Sequence, residues 1–262
     1  ILYLGIGVGA ALAPLACGYA AQRFGFHAGF SIAAIGMVLA LVILRRGWSH
    51  VHVAAPAVVA SASRNVEESS GFKGMMIVSA FAVVYWATSE QSANALVVFS
   101  EQSVQRTVML PGVGAWEIPT SWFLALNPIA ILVLGPFVAQ MWARRAVRGR
   151  RTTSPRKMAL GLAMLGVAFV QLALAIIASK GMVAAGWFVL FYFILSLAEL
   201  FFLPNGLSLV TELMPPGRQG HLMAAWFLAG FIGNAIGGWV ASLWPMFTPW
   251  TFCAALATAL FV

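Results

Sequence analysis

Residues 75–99, MMIVSAFAVVYWATSEQSANALVVF, form an apolar run long enough to cross a lipid bilayer as a helix, which takes about 20 residues. The only acidic or basic residue in this run that is charged near neutral pH in water is Glu90, near its middle. A charged side chain at that depth costs roughly 2.5–3.5 kcal/mol on insertion scales, so a carboxylate there indicates a functional site by default. The run therefore predicts a spanning helix that carries a functional group.

The composition of the whole chain predicts an all-α polytopic membrane protein. Of its 262 residues, 61% are hydrophobic and 8% are charged, whereas a soluble domain has about 25% charged residues. The two cysteines, Cys17 and Cys253, lie in apolar segments, so neither a disulfide framework nor a metal site is predicted. The net charge of +8 is better explained by basic loops that set membrane topology than by nucleic-acid binding.

Eight segments are predicted to span the bilayer. They cover residues 1–22, 28–44, 73–100, 119–143, 157–179, 184–213, 221–244 and 250–262. The sequence begins within the first segment and stops within the last, so we expect a fragment cut at both ends. The connection 45–72 is rich in small and polar residues and predicts a mobile linker.

Basic residues predict the orientation of these segments. Seven of them lie in the loop from Arg144 to Lys157. If this loop is cytoplasmic, alternation places twelve of the 15 basic residues inside and leaves only Arg23, Arg106 and Lys180 outside. This distribution agrees with the excess of Lys and Arg that cytoplasmic loops carry.

Polar side chains within the spans predict where a site lies. Trp86, Glu90 and Asn94 follow one another at intervals of four and so share one helix face. Glu199 stands five residues before Pro204, whose missing amide hydrogen frees a backbone carbonyl beside the carboxylate. A carboxylate beside a broken helix is typical of transporter sites near the bilayer midplane. The alternative is that each glutamate only makes a hydrogen bond between helices.

Two further spans contribute candidates. Pro128 and Pro136 predict breaks in segment 119–143, and Asn127 stands just before the first. Trp226 is compatible with a cavity wall and equally with aromatic packing. The histidines lie at helix ends or in loops without metal-ligand spacing, and no nucleophile, base and acid share one membrane depth, so hydrolytic chemistry has little support.

Four blocks of sequence are collinear with a known family. They are YWATSEQSANALVVFSEQ (85–102), IPTSWFLALNPIAILVLGPFVAQMW (118–142), SPRKMALGL (154–162), and AELFFLPNGLSLVTELMPP (198–216) followed by GHLMAAWFLAGFIGNAIGGWVA (220–241). In this order and spacing they resemble the second half of proton-dependent oligopeptide transporters, the POT or PTR family of the major facilitator superfamily. Residues 3–43 are similar to the fifth and sixth helices of the same family.

The resemblance implies a major facilitator transporter fragment with about eight transmembrane helices, the fifth to the twelfth. Residues 1–44 would be the last two helices of the N-terminal bundle, 45–72 the cytoplasmic inter-bundle linker, and 73–262 the C-terminal six-helix bundle with its last helix truncated. The implied function is symport of di- and tripeptides with protons by alternating access in the cell membrane. The proton gradient would take the place of a cofactor, and the missing N-terminal helices would complete the carrier.

The resemblance also implies roles for particular residues. Glu199 matches the glutamate that receives the peptide's amino terminus, Asn127 the asparagine beside it, and Trp226 an aromatic residue of the pocket. Glu90 matches a glutamate linked to proton coupling and extracellular gating through basic residues of the other half. Trp86, on the same stripe as Glu90, is expected to line the substrate site.

Two departures from the family pattern leave the substrate open. Gly7 stands where the family has an asparagine, and Leu203 stands where it has a serine before the proline. The alternative is therefore a related major facilitator carrier of another small solute, such as an amino acid, nitrate or a drug-like compound. A membrane-embedded enzyme or an assembly factor is the competing class.

Overall fold

The computed structural model describes residues 2–48, 68–111, 114–212 and 219–261, and most of the predicted linker lies outside these ranges. Within them the chain forms nine α-helices: α1 (Leu2–Phe24), α2 (Phe26–Gly47), α3 (Glu68–Ser89), α4 (Ala95–Ser103), α5 (Ser121–Val147), α6 (Ser154–Ser179), α7 (Ala185–Glu212), α8 (Gln219–Ser242) and α9 (Pro249–Phe261). Four short strands accompany them: β1 (Val104–Gln105), β2 (Thr107–Leu110), β3 (Gly114–Glu117) and β4 (Val183–Ala184).

The prediction of an all-helical polytopic membrane protein is confirmed. Six of the described helices, α1, α2 and α5 to α8, are long and apolar enough to cross a bilayer by length and composition. The other two expected spans correspond to the run that contains α3 and α4 and to α9, an apolar helix of 13 residues.

The prediction of one continuous helix over residues 73–100 is wrong. The chain leaves α3 at Ser89, makes a 3-10 turn over Glu90–Ser92, and begins α4 at Ala95. Asn94 has φ −106° and ψ −97°, outside the helical region. Ser, Thr and Asn side chains compete with helical hydrogen bonds, and the Thr88 hydroxyl donates to the Val84 carbonyl at 2.7 Å just before the break. The interruption therefore lies in the polar stretch around Glu90.

The predicted breaks at the three prolines are also wrong. Pro128 and Pro136 lie inside the continuous helix α5, and Pro204 lies inside α7. A proline removes one backbone hydrogen bond, and neighbouring helices can satisfy the freed carbonyl in a spanning bundle. These prolines modify α5 and α7 without interrupting them.

The helices pack around a core of aliphatic and aromatic side chains. Helix α6 packs against α7 and α9, α3 packs against α8, and α5 packs against α1 and α7. Phe169, Phe188 and Phe191 are fully buried where α6 meets α7. On α8, Gly233 lets the helix approach α3 so closely that a Cβ there would lie 2.8 Å from the Val83 carbonyl oxygen.

Three of the connections that the sequence places outside the membrane lie together at one end of the bundle. β1 and β4 pair in parallel, so the connection after α4 lies beside the connection between α6 and α7. β2 and β3 form an antiparallel hairpin. The side-chain amide of Gln22, near the end of α1, donates to the Glu117 carbonyl of this hairpin at 3.1 Å. The arginine-rich turn between α5 and α6 lies at the other end of α5.

Candidate functional site

A cavity of about 320 Å³, the central cavity, lies between the end of α3, the 3-10 turn, α5 and α7. Trp86 lines it from α3, Glu90 from the 3-10 turn, Asn127 from α5, and Tyr192 and Glu199 from α7. Both carboxylates that the sequence places within spans therefore lie in one space. Pockets for small molecules commonly measure about 300–1,000 Å³, so the central cavity is at the small end of that range.

Glu199 is held by a hydrogen-bond network that joins α5 to α7. The Asn127 Nδ2 atom donates to Glu199 Oε2 at 3.0 Å and lies 3.3 Å from the Ser196 hydroxyl. The Ser196 hydroxyl lies 2.7 Å from the Tyr192 carbonyl, one turn before it, and 3.2 Å from the Asn127 carbonyl. Because Nδ2 faces the carboxylate, the Oδ1 atom of Asn127 is the part of the amide that can accept a hydrogen bond from a ligand.

The central cavity contains two carboxyl groups and no protein cation among its described lining residues. Among the described residues, no basic side chain forms an ion pair with Glu90 or Glu199, and the ion pair present joins Arg106 to Glu117 at 2.6 Å in the hairpin region. In a site with little water, a carboxylate interacts with a nearby cation far more strongly than it would in bulk water. The geometry therefore favours a ligand that brings a positive charge.

An aromatic column forms one wall. The Tyr85 ring meets Trp86 edge-on at 5.8 Å and stacks on Phe202 at 4.1 Å with 6° between the ring planes. Phe202 in turn stacks on Trp226 at 6.4 Å. Trp86 and Tyr85 line the central cavity, whereas Phe202 and Trp226 lie behind them.

The structure brings together four of the five predicted site residues. Glu90, Glu199, Asn127 and Trp86 line the central cavity, and the described residues that line it do not include Trp226. Trp226 is 6% exposed, and its indole covers Gly206, where a Cβ would collide with the ring. Any contribution of Trp226 to a ligand site would therefore pass through Phe202 and Tyr85.

The central cavity also contains residues that the sequence interpretation did not single out. Tyr192 lines the central cavity and precedes Glu199 by seven residues, so it shares the helix face of Glu199, a pattern that helical periodicity alone could have revealed. Tyr85 gives no such signal in the sequence, because it is an aromatic residue that also packs within the aromatic column. Asn94, although four residues after Glu90, is displaced by the helix break and does not line the central cavity.

Comparisons with known proteins agree with the expected family. The model of the POT family matches residues 1–58 and 51–250. The chain is 27% identical to the uncharacterized transporter YclF of Bacillus subtilis, with 93% of this chain and 60% of that protein covered. It is also 27% identical to a di-/tripeptide transporter of Lactococcus lactis subsp. cremoris, with 94% of this chain and 61% of that protein covered.

A solved structure supports the same assignment. A mutant of the peptide transporter POT, crystallised in complex with alafosfalin, is 28% identical and superposes with a TM-score of 0.84 over 98% of this chain and 63% of that one. The chain thus spans about three fifths of the length of the curated relatives that it matches. Since the family model covers most of the sequence, the chain belongs to the POT family of the major facilitator superfamily, whose members are multi-pass plasma-membrane transporters and not enzymes.

Proposed function

We propose that the protein carries di- and tripeptides across the membrane together with protons, by alternating access. The observation that carries the proposal is the pair of carboxylates in one cavity without a basic partner among the described residues. The names of two relatives, a di-/tripeptide transporter and the peptide transporter POT, support peptides as the substrate class.

Glu199 and Asn127 form the proposed site for the peptide's amino terminus. The ammonium group would pair with the Glu199 carboxylate and donate a second hydrogen bond to Asn127 Oδ1, since Nδ2 already faces Glu199. Both ions lose hydration on binding, and each offsets the other's loss only when both are present. This site would therefore favour substrates with a free amine.

Glu90 is the proposed proton-coupling and gating group. It lies in the central cavity with Glu199 but on a different element, the 3-10 turn after α3, and no described residue forms an ion pair with it. Two carboxylates in one small space disfavour double ionisation, so protonation of one changes the charge that the substrate meets. Proton binding and peptide binding would then influence each other, because both take place in the central cavity.

Trp86 and Trp226 have different proposed parts in binding. Trp86 would contact the substrate directly because it lines the central cavity. Trp226 would support that wall from behind through its stacking on Phe202. Substitution of Trp226 should therefore affect stability as well as affinity.

The proposed topology follows the charge distribution and the family assignment. Residues 1–44 would belong to the N-terminal bundle of the fold, 45–72 to a cytoplasmic linker, and 73–262 to the C-terminal bundle. In the structure, the β1–β4 pair and the Gln22–Glu117 contact lie at one end of the bundle, and the basic turn lies at the other end of α5. This separation supports the proposed arrangement.

Among the alternative substrates, the central cavity is most compatible with another amine. The described lining offers carboxylates for an amine and no cation for a substrate carboxylate, so an amino acid or amine-bearing drug would satisfy the same groups. Nitrate, a bare anion, meets no cation among the described lining residues.

Uptake into proteoliposomes would test these proposals. The protein should be expressed from its complete coding sequence, reconstituted, and given an inward proton gradient with labelled dialanine, alanine or nitrate. Dialanine uptake that collapses with a protonophore is the expected result. Uptake of alanine without uptake of dialanine would replace peptide transport with the alternative.

A further inference from the structure

Two side chains, an amide and a phenol, hold the break between α3 and α4 from two sides. On one side, the Gln91 amide nitrogen donates to the Ala87 carbonyl at 3.0 Å and to the Gly237 carbonyl of α8 at 2.8 Å. On the other side, the Tyr192 hydroxyl of α7 donates to the Ser92 carbonyl at 2.8 Å. These two groups tie the same three-residue turn to two different helices.

The Gln91 amide can take only one orientation. Its side chain is fully buried, and both groups that it meets are carbonyl acceptors. A rotation of the amide by 180° would place its oxygen against those two acceptors, so the donor must face them. Unlike its neighbour Glu90, Gln91 does not line the central cavity, so its contribution is to α8 and not to a ligand.

The Tyr192 hydroxyl replaces a helical hydrogen bond. In an uninterrupted helix the Ser92 carbonyl would accept the amide hydrogen four residues further on. The break redirects the chain at Asn94, and the Tyr192 hydroxyl satisfies this carbonyl instead. The turn can thus persist in a bundle without leaving that backbone acceptor unpaired.

We propose that Gln91 and Tyr192 are positioning residues for Glu90. By fixing the turn Glu90–Ser92 against α8 and α7 at once, they keep the Glu90 carboxylate directed into the central cavity. The proposal depends on the proposed function only for the coupling role of Glu90, and the fixation of the turn stands independently of any substrate.

Hydrogen exchange of the complete protein tests the fixation without a substrate. Gln91→Met removes the amide at similar volume, and Tyr192→Phe removes only the hydroxyl. Each should speed amide exchange in residues 90–97 by about fivefold, the effect of one lost hydrogen bond between the turn and a neighbouring helix, with little change in α6. Ser100→Ala is the matched control, because it removes a buried hydroxyl that bonds only the Val97 carbonyl within α4. Unchanged exchange at 90–97 in Tyr192→Phe would overturn the proposal, even if Gln91→Met does not fold.

Transport in two modes tests the consequence for Glu90. Proton-driven uptake should fall at least about fivefold relative to counterflow exchange in both variants, while Ser100→Ala keeps the wild-type ratio. A residue with a merely structural role would lower both modes equally, and that result would overturn the positioning role. Failure of the wild type to take up dipeptide would contradict the proposed function and leave the exchange experiment unaffected.

Discussion

The Nδ2 atom of Asn127 donates a 3.0 Å hydrogen bond to Oε2 of Glu199, so an amide on α5 faces a carboxylate on α7 across the wall of the central cavity. The two residues are 72 positions apart in the sequence. Their contact gives Glu199 a defined orientation before any ligand arrives, which lowers the ordering cost of binding. It also leaves the second oxygen of the carboxylate available to a ligand.

Glu90→Gln should separate the two modes of transport. Glutamine keeps the size of the side chain but cannot ionise, so a step that requires protonation and release of the proton at this position is lost. Proton-driven uptake is expected to fall about tenfold or more, since one charge-assisted interaction is worth roughly 1.5–3 kcal/mol, whereas counterflow exchange should be better preserved. Equal loss of both modes at normal expression would argue against a coupling role.

The basic turn between α5 and α6 should be cytoplasmic and the β2–β3 hairpin external. The prediction follows from the resistance of basic residues to translocation. With Cys17 and Cys253 replaced by alanine, Arg148→Cys should resist an impermeant thiol reagent on intact cells, and Met109→Cys, 75% exposed in the hairpin, should react. The reverse labelling pattern would show that the orientation is inverted.

Gly233→Ala should destabilise the protein, and Gly238→Ala on the same helix should not. A Cβ at Gly233 would lie 2.6 Å from the Trp86 Cβ and 2.8 Å from the Val83 carbonyl oxygen, whereas a Cβ at Gly238 meets nothing within 4 Å. Overpacking of this kind costs about 1–3 kcal/mol, while alanine in an open helix position gains at most about 1 kcal/mol. Melting temperatures in detergent should therefore fall for Gly233→Ala alone. Equal effects of the two changes would mean that α3 and α8 do not pack as described.

Hydropathy predicted the apolar spans, because a helix that crosses a bilayer needs a long apolar segment that is visible in the sequence. The helix break at Glu90–Asn94 was missed for a physical reason. Prolines are the usual signal for interruption, yet α5 and α7 accommodate theirs. The interruption instead occurs where Gln91 of the turn donates to Gly237 of α8 and Tyr192 of α7 donates to Ser92, and no local pattern reveals such contacts with distant helices.

The same distinction separates the predicted site residues. Ionisable and amide side chains within spans stand out from their surroundings, and Glu90, Asn127 and Glu199 all line the central cavity. An aromatic side chain does not stand out in this way, because the same apolar ring surface serves for core packing and for contact with a ligand. Both Trp86 and Trp226 were predicted to bind substrate, but only the first lines the central cavity, since α8 places the second against Gly206.

Replacement of Asn127 should weaken binding less than replacement of Glu199. Asn127→Ala would remove the proposed neutral hydrogen bond to the substrate amine, worth about 1 kcal/mol or roughly fivefold in affinity. It also frees the Glu199 carboxylate to move, so the loss should be in affinity and not in the maximum rate. Uptake measured over a range of dipeptide concentrations distinguishes the two, and a tenfold loss of maximum rate with unchanged affinity would contradict this role.

Glu199→Gln should abolish most of the preference for a free amino terminus. With the carboxylate gone, the substrate ammonium would be desolvated without an ionic partner, at a cost on the order of 3–5 kcal/mol, or at least about a hundredfold in affinity. An N-acetylated dipeptide has no ammonium, so it loses nothing comparable when Glu199 changes. The ratio of affinities for dialanine and its N-acetyl form should therefore be large in the wild type and close to one in the variant. Discrimination that survives in Glu199→Gln at the wild-type level would move the amine site elsewhere and remove the main support for peptide recognition at Glu199.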